Sequence, residues 1–206
     1  WQINAYADVW RHPWLRYGVN APSVGHEYLA RVQWQKGKVL TASAWWQSET
    51  KQANNPAEDT TGLINIRRDR FRVHVISKIS MSLESRSRVE WSWYLPETGG
   101  TTRGFMAYQE FVFRPVERSF SGSFRYAMFD TDSYDSRIYT YENDLFSAIS
   151  IPAFSGSGSR IFLNLQWKLS KNLKIEGRFE ETRVIKNMEA PVVSDRVWKV
   201  QLQCRW

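Results

Sequence analysis

The sequence predicts an all-β chain: an antiparallel transmembrane β-barrel of about ten strands, or the C-terminal part of a larger barrel. Three observations predict it. Stretches of about ten residues alternate apolar and polar, the period of a strand with one oily and one wet face. The wet faces are rich in charge. Short and long connections alternate along the chain. Mean hydropathy is −0.51, and no apolar run approaches the ~18 residues of a membrane helix. A membrane barrel needs neither, since its strands cross in ~9–11 residues with every second one polar.

The first strand is expected over 1–12, with Ile3, Ala5, Ala7 and Val9 opposite Gln2, Asn4, Asp8 and His12, and Pro13 ends it. The second covers 26–35 and sets Tyr28, Ala30, Val32 and Trp34 against Glu27, Arg31 and Gln33. Lys36-Gly37-Lys38 turns the chain into a third, 39–50, with Leu40, Ala42, Ala44 and Trp46 on the oily face. A polar loop is expected over 51–62. In the fourth strand Arg68, Arg70, Arg72, His74 and Lys78 alternate with Phe71, Val73 and Val75. The fifth places Leu83, Val89, Trp91, Trp93 and Leu95 opposite Glu84, Arg86, Arg88 and Glu90. A hairpin there would set the two charged rows side by side. The sixth, 103–113, alternates imperfectly, which predicts a bulge. Phe120, Phe124, Tyr126 and Met128 mark the seventh. Clear strands follow at 161–169 and 173–183, the latter with Glu176 and Glu180 on its wet face. The last runs to the C-terminus with Trp198, Val200, Leu202, Cys204 and Trp206 on one side.

Residues 138–151 resolve poorly into two faces. Outer-membrane barrels alternate short periplasmic turns with longer external loops. The short turns fall at 36–38, near 80, at 114–117 and at 170–172. A spanning strand at 138–151 would put the last turn and the C-terminus on the wrong side. The expectation is therefore ten spanning strands in one barrel over 1–206, with one long external loop at about 130–159 that holds local β structure.

Composition limits the remaining readings. The chain has 206 residues, 11 Trp and a net charge of +7. Trp34, Trp46, Trp91, Trp167 and Trp198 are expected at the headgroup level, where an amphipathic ring meets both solvents. Cys204 is the one cysteine, which excludes an intrachain disulfide and a multi-cysteine zinc site. The three histidines, at 12, 26 and 74, lack metal-ligand spacing, and no metal or other cofactor is expected. His74 and Ser77 have opposite parity, so they do not form a catalytic dyad on one face, and no catalytic residue is assigned. The row Arg68, Arg70, Arg72, His74, Lys78, Arg86 and Arg88 is expected to line the lumen. It pairs there with Glu84, Glu90, Glu176 and Glu180, with attraction of anions or a nucleic-acid backbone as the alternative. The acidic run Asp130, Asp132, Asp135, Glu142 and Asp144 matches no standard calcium loop and is expected to be a hydrogen-bonded loop.

The stretch Phe124-Arg125-Tyr126-Ala127-Met128-Phe129-Asp130-Thr131-Asp132-Ser133-Tyr134-Asp135-Ser136-Arg137-Ile138-Tyr139 is followed by Tyr141-Glu142-Asn143-Asp144, Ile151-Pro152-Ala153 and Gly158-Ser159-Arg160. It resembles the C-terminal barrel of Bacteroidota outer-membrane proteins that carry helix-hairpin-helix repeats upstream, a group associated with competence and DNA uptake. The resemblance covers about 120–183, and it implies that the chain is the C-terminal part of a longer protein. The helix-hairpin-helix part that carries DNA binding is not in this sequence.

The functional expectation is a non-enzymatic barrel in the bacterial outer membrane, a channel or envelope scaffold linked to DNA or macromolecule passage. Its expected partners are outer-membrane lipid, other envelope proteins, and the barrel-assembly machinery, which reads the C-terminal row Trp198, Val200, Leu202, Cys204 and Trp206. Nucleic acid stays open as a partner. The alternatives are a soluble ligand-binding β-barrel and an outer-membrane hydrolase.

Overall fold

In a computed structural model the described residues are 1–55, 62–146, 148–185 and 193–204. Ten long strands form one antiparallel sheet: β1 (Gln2–His12), β2 (Ser23–Lys36), β3 (Leu40–Asn54), β4 (Leu63–Lys78), β5 (Leu83–Pro96), β6 (Thr102–Phe113), β7 (Phe120–Thr131), β10 (Ser157–Lys168), β11 (Leu173–Ile185) and β12 (Val193–Cys204). Each pairs with its neighbour in sequence, except that β7 pairs with β10 across the intervening segment. That segment holds a 3₁₀ turn, Tyr134–Ser136, and a two-stranded ladder of β8 (Ile138–Tyr139) and β9 (Ala153–Phe154). Among the described residues, 138–151 thus add no strand to the ten-stranded sheet. β1 and β12 are the sheet's two edges and do not pair with one another.

The expected strands are present, and several run longer. β3 continues to Asn54 and β4 begins at Leu63. The end of β3, 51–54, is polar and reads in the sequence as part of the loop expected over 51–62. Polar contacts tie it: the Val24 N–H donates to Gln52 at 2.9 Å and the Asn20 N–H to Asn54 at 2.8 Å. At 11 to 16 residues the long strands exceed what a bilayer core requires. The turn after β2 uses Gly37 at φ 56, a left-handed backbone that a side chain would strain.

Strand parity sorts the sheet into two faces. Odd positions of β5 and β10 and even positions of β7 and β12 form one; their neighbours form the other. The first face carries Val89, Trp91, Phe124, Leu163, Leu165, Phe179, Val200 and Leu202. The second carries Arg88, Glu90, Arg125, Arg160, Arg178 and Lys199. Side chains from β4, β5, β6, β7, β10, β11 and β12 on the second face reach the same segment, 134–146. Only a curled sheet allows this, so the charged face is concave and the apolar face convex.

The bulge expected in the sixth strand is absent. β6 keeps unbroken register with β5 and with β7. Its alternation fails because its concave face is itself apolar. Met106 and Tyr108 lie there in a buried cluster with Ala127, Phe129, Ile138 and Phe154. Ile138 and Phe154 come from the β8–β9 ladder, and the Phe154 ring meets Phe129 edge-on at 5.1 Å. Gly104 completes the seat. A Cβ there would lie 2.2 Å from the Ser136 carbonyl oxygen, so only glycine lets the 3₁₀ turn settle on β6.

Candidate functional site: a constricted charged trough

The segment between β7 and β10, expected as an external loop, folds back into the trough. Besides the apolar cluster of Ile138 and Phe154, buried ion pairs fix its position. Glu142 is fully buried. Arg160 donates to both its oxygens, Nε to Oε1 and Nη2 to Oε2, each at 3.0 Å. Arg178 Nη2 donates to Oε2 at 2.6 Å. Glu180 accepts from the same two arginines at 3.0 and 2.7 Å. Asp144 accepts from Lys199 Nζ at 2.9 Å. Burial pushes the Asp144 carboxyl up, but Lys199, the Leu145 N–H and Arg178 outweigh it and hold it below the ordinary carboxylate range.

A second anchor lies on β6 and β7. Arg125 donates to Glu110 Oε2 at 2.8 Å and to the Tyr141 carbonyl at 2.9 Å. Its guanidinium lies over the Tyr108 ring at 4.0 Å. Asn143 donates to the other oxygen of Glu110 at 2.8 Å. A third anchor is Arg88, which bonds Glu90 and donates to the Thr140 hydroxyl at 2.9 Å. Such buried pairs add little net stability, because desolvation offsets much of the attraction. Their effect is on placement. Removing one partner strands a charge, so the segment is specified to one position.

The predicted lumen rows divide in two. Arg72 and Arg88 share Glu90, and Arg86 takes Glu84 at 2.6 Å. Glu176 binds Lys174 and accepts the Phe146 N–H at 3.0 Å. Glu84 and Glu90 thus pair with the basic row, whereas Glu176 and Glu180 pair outside it, with Lys174 and with Arg160 and Arg178. Lys78 lies opposite Glu84 in register and is exposed. Arg68 and Arg70 do not join the network. Arg68 donates to the Asp135 carbonyl at 3.3 Å, and Arg70 reaches Gln47 at 3.4 Å. Glu49, opposite Arg68 in register, is 3.6 Å from Lys51 instead. Arg31 of β2 bonds only Gln33, at 2.8 Å, among the described residues. The half of the trough that the segment leaves uncovered therefore carries guanidiniums with no carboxylate partner among the described residues. His74 faces the trough beside Tyr108, with ring centroids 6.4 Å apart, and Ser77 lies on the opposite face.

Sequence reasoning put Arg125, Arg178 and Lys199 on wet faces without a site role, and gave none to Glu110 and Arg160. All five stand at wet-face positions, and that parity was the available signal. Glu142 and Asp144 were noted only as part of an acidic run. That run does not converge. Asp132 accepts the Arg103 N–H at 2.8 Å, while Glu142 and Asp144 are taken by arginine and lysine. Among the described residues no group of three His, Cys, Asp or Glu is placed to hold a metal ion.

The convex face is mostly apolar, broken by Ser85, Ser87 and Gln109, which bond one another, and by the Arg67–Asp69 pair. Val200 is 80% and Trp198 74% exposed, and Leu202, Trp167, Leu165, Phe124 and Ile3 are exposed as well. Trp46, Phe71, Trp91 and Phe105 are register partners on four successive strands. Trp91 packs between Phe71 at 5.8 Å and Phe105 at 5.7 Å. Trp34 and Trp167 stand near the short turns instead, and Trp198 rests on Phe179 at 4.4 Å. Of the five tryptophans expected at the headgroup level, Trp46 and Trp91 thus stand near mid-strand. Cys204 is exposed on the same face, and Trp206 lies outside the described residues. Among the described residues no helix is long and apolar enough to cross a membrane.

No family model, no curated protein and no solved structure matches this chain.

Proposed function

We propose that the chain forms the transmembrane β-sheet of a non-enzymatic bacterial outer-membrane barrel whose lumen is narrowed by its own segment 132–156. The convex face carries this reading. Its exposed apolar side chains recur on strands from β1 to β12, an extent of exposed oil that a water-soluble surface rarely carries. Lipid is the solvent that fits such a face, with charge gathered on the other side. The connections agree in part: 37–39, 79–82 and 169–172 are short, but 114–119 is longer than 97–101 at the other end.

The proposed activity is restricted passage of anions. The segment fills the trough from β5 to β12 and meets Arg68 of β4 at its border, and Arg31 and Arg70 line what remains. A polyanion such as DNA, the cargo class implied by the resemblance over 120–183, is the largest member of that class. The test is reconstitution. The protein should need detergent, migrate differently on a gel before and after boiling, and give small anion-preferring conductances in planar bilayers. A detergent-free soluble protein with no heat-dependent migration overturns the proposal.

A further inference from the structure

A groove at the long-loop end of the convex face has a composition unlike the belt beneath it. Its floor is β10, where Ser157, Gly158 and Ser159 are small. One wall is apolar, from Tyr126 and Met128 of β7. The other is cationic, from Arg183 of β11 and Arg196 of β12. Register makes this one continuous site. Ser159 stands between Met128 and Arg183, and Arg196 stands opposite Glu181.

The two guanidiniums are positioned rather than loose. Glu181 is nearly buried and accepts Arg183 Nε at 3.0 Å, Arg196 Nε at 3.0 Å and the Ser194 hydroxyl at 2.9 Å. A second Arg183 nitrogen reaches it at 3.3 Å. One carboxylate thus holds two arginines through their inner edges. Their side chains stay more than half exposed, and their outer N–H groups have no partner among the described residues. Asp130 is one register step farther toward the loop end, beside Ser157, with β10 and β11 between it and Arg196. Below the groove the surface is oily, with Leu163 and the stacked Phe179 and Trp198.

We infer that this groove binds the phosphate headgroup of a membrane lipid, with an acyl chain along Tyr126 and Met128 and the phosphate between Arg183 and Arg196. The inference rests on the membrane reading above. Lipid is the committed occupant because charge and oil adjoin on a face that already meets acyl chains. A guanidinium pair matches phosphate oxygens in geometry as well as charge. A free phosphate would use only one wall.

The probe is native mass spectrometry of the detergent-folded protein titrated with phosphatidic acid. Diacylglycerol of the same chains lacks the phosphate, and inorganic phosphate lacks the chains. Phosphatidic acid should be retained at least about tenfold more strongly than either. The Arg183→Gln/Arg196→Gln double variant should lose that preference, and Ser159→Trp, which fills the floor without touching charge, should lose it too. Equal retention of phosphatidic acid and diacylglycerol overturns the inference, as does undiminished preference in Ser159→Trp. Inorganic phosphate binding as tightly as phosphatidic acid overturns the lipid assignment. Heat-dependent migration of each variant reports that it has folded. Failure to insert into any lipid instead contradicts the membrane reading itself.

Discussion

Replacing Glu142 by alanine should release the segment from the trough while leaving the sheet intact. Glu142 is fully buried and accepts three guanidinium hydrogen bonds, two from Arg160 and one from Arg178. Removing one partner of a buried ion pair costs about 3–5 kcal/mol, because the other partner keeps an uncompensated charge. Here Glu180 still bonds both arginines, and Asp144 lies 3.6 Å from Arg178. The cost should therefore fall near the lower limit, about 3 kcal/mol, more than a hundredfold in the docking equilibrium. The ten-stranded ladder does not depend on Glu142, so the loss should be local. Hydrogen exchange in detergent reads it directly. The Glu142 amide, bonded to the Ser150 carbonyl at 2.9 Å, and its neighbours in the segment should exchange far faster, while β4 and β5 amides keep their protection. Unchanged protection of the segment in a folded variant refutes the claim that charge holds it.

Acid should loosen the same segment. Asp144 has a depressed folded-state pKa, so its contribution is present above the unfolded value and lost as pH falls through the folded one. Exchange of the residues beside it should rise below about pH 4, and Asp144→Asn should remove that step. Gly104→Val should disrupt the seat of the 3₁₀ turn against Ser136 and lower stability by about 1–3 kcal/mol in chemical unfolding, with Gly100→Val, which meets nothing within 4 Å, as the control. Arg68→Gln with Arg70→Gln should shift the reversal potential in a salt gradient toward cations, whereas Arg86→Gln, a residue paired with Glu84, should shift it less.

The strands were legible because a period of two survives in any sequence that separates oil from charge. The wet-face positions of Arg72, Arg86 and Arg88 followed from parity alone, as did the convex row from Trp198 to Cys204. What could not be read was where the segment after β7 goes. Its contacts join Glu142 to Arg178 and Arg88 to Thr140, pairs set by register across many strands and by no local pattern. The same long-range contact misled the reading of β6, where Met106 and Tyr108 are apolar because Ile138 and Phe154 cover them. Arg68 and Arg70 look like Arg72 in the sequence. Only the structure separates them, because Glu90 faces Arg72 and not the other two.

The membrane account is tested most directly by Val200→Arg, measured as folding stability in lipid vesicles. Val200 is already 80% exposed, so in water an arginine there would change stability by no more than ~0.5 kcal/mol. Facing the bilayer midplane it should cost about 2–4 kcal/mol, whereas arginine at the neighbouring trough position Gln201 should be tolerated. Equal stabilities for the two variants, or full stability of Val200→Arg without lipid or detergent, would contradict the account.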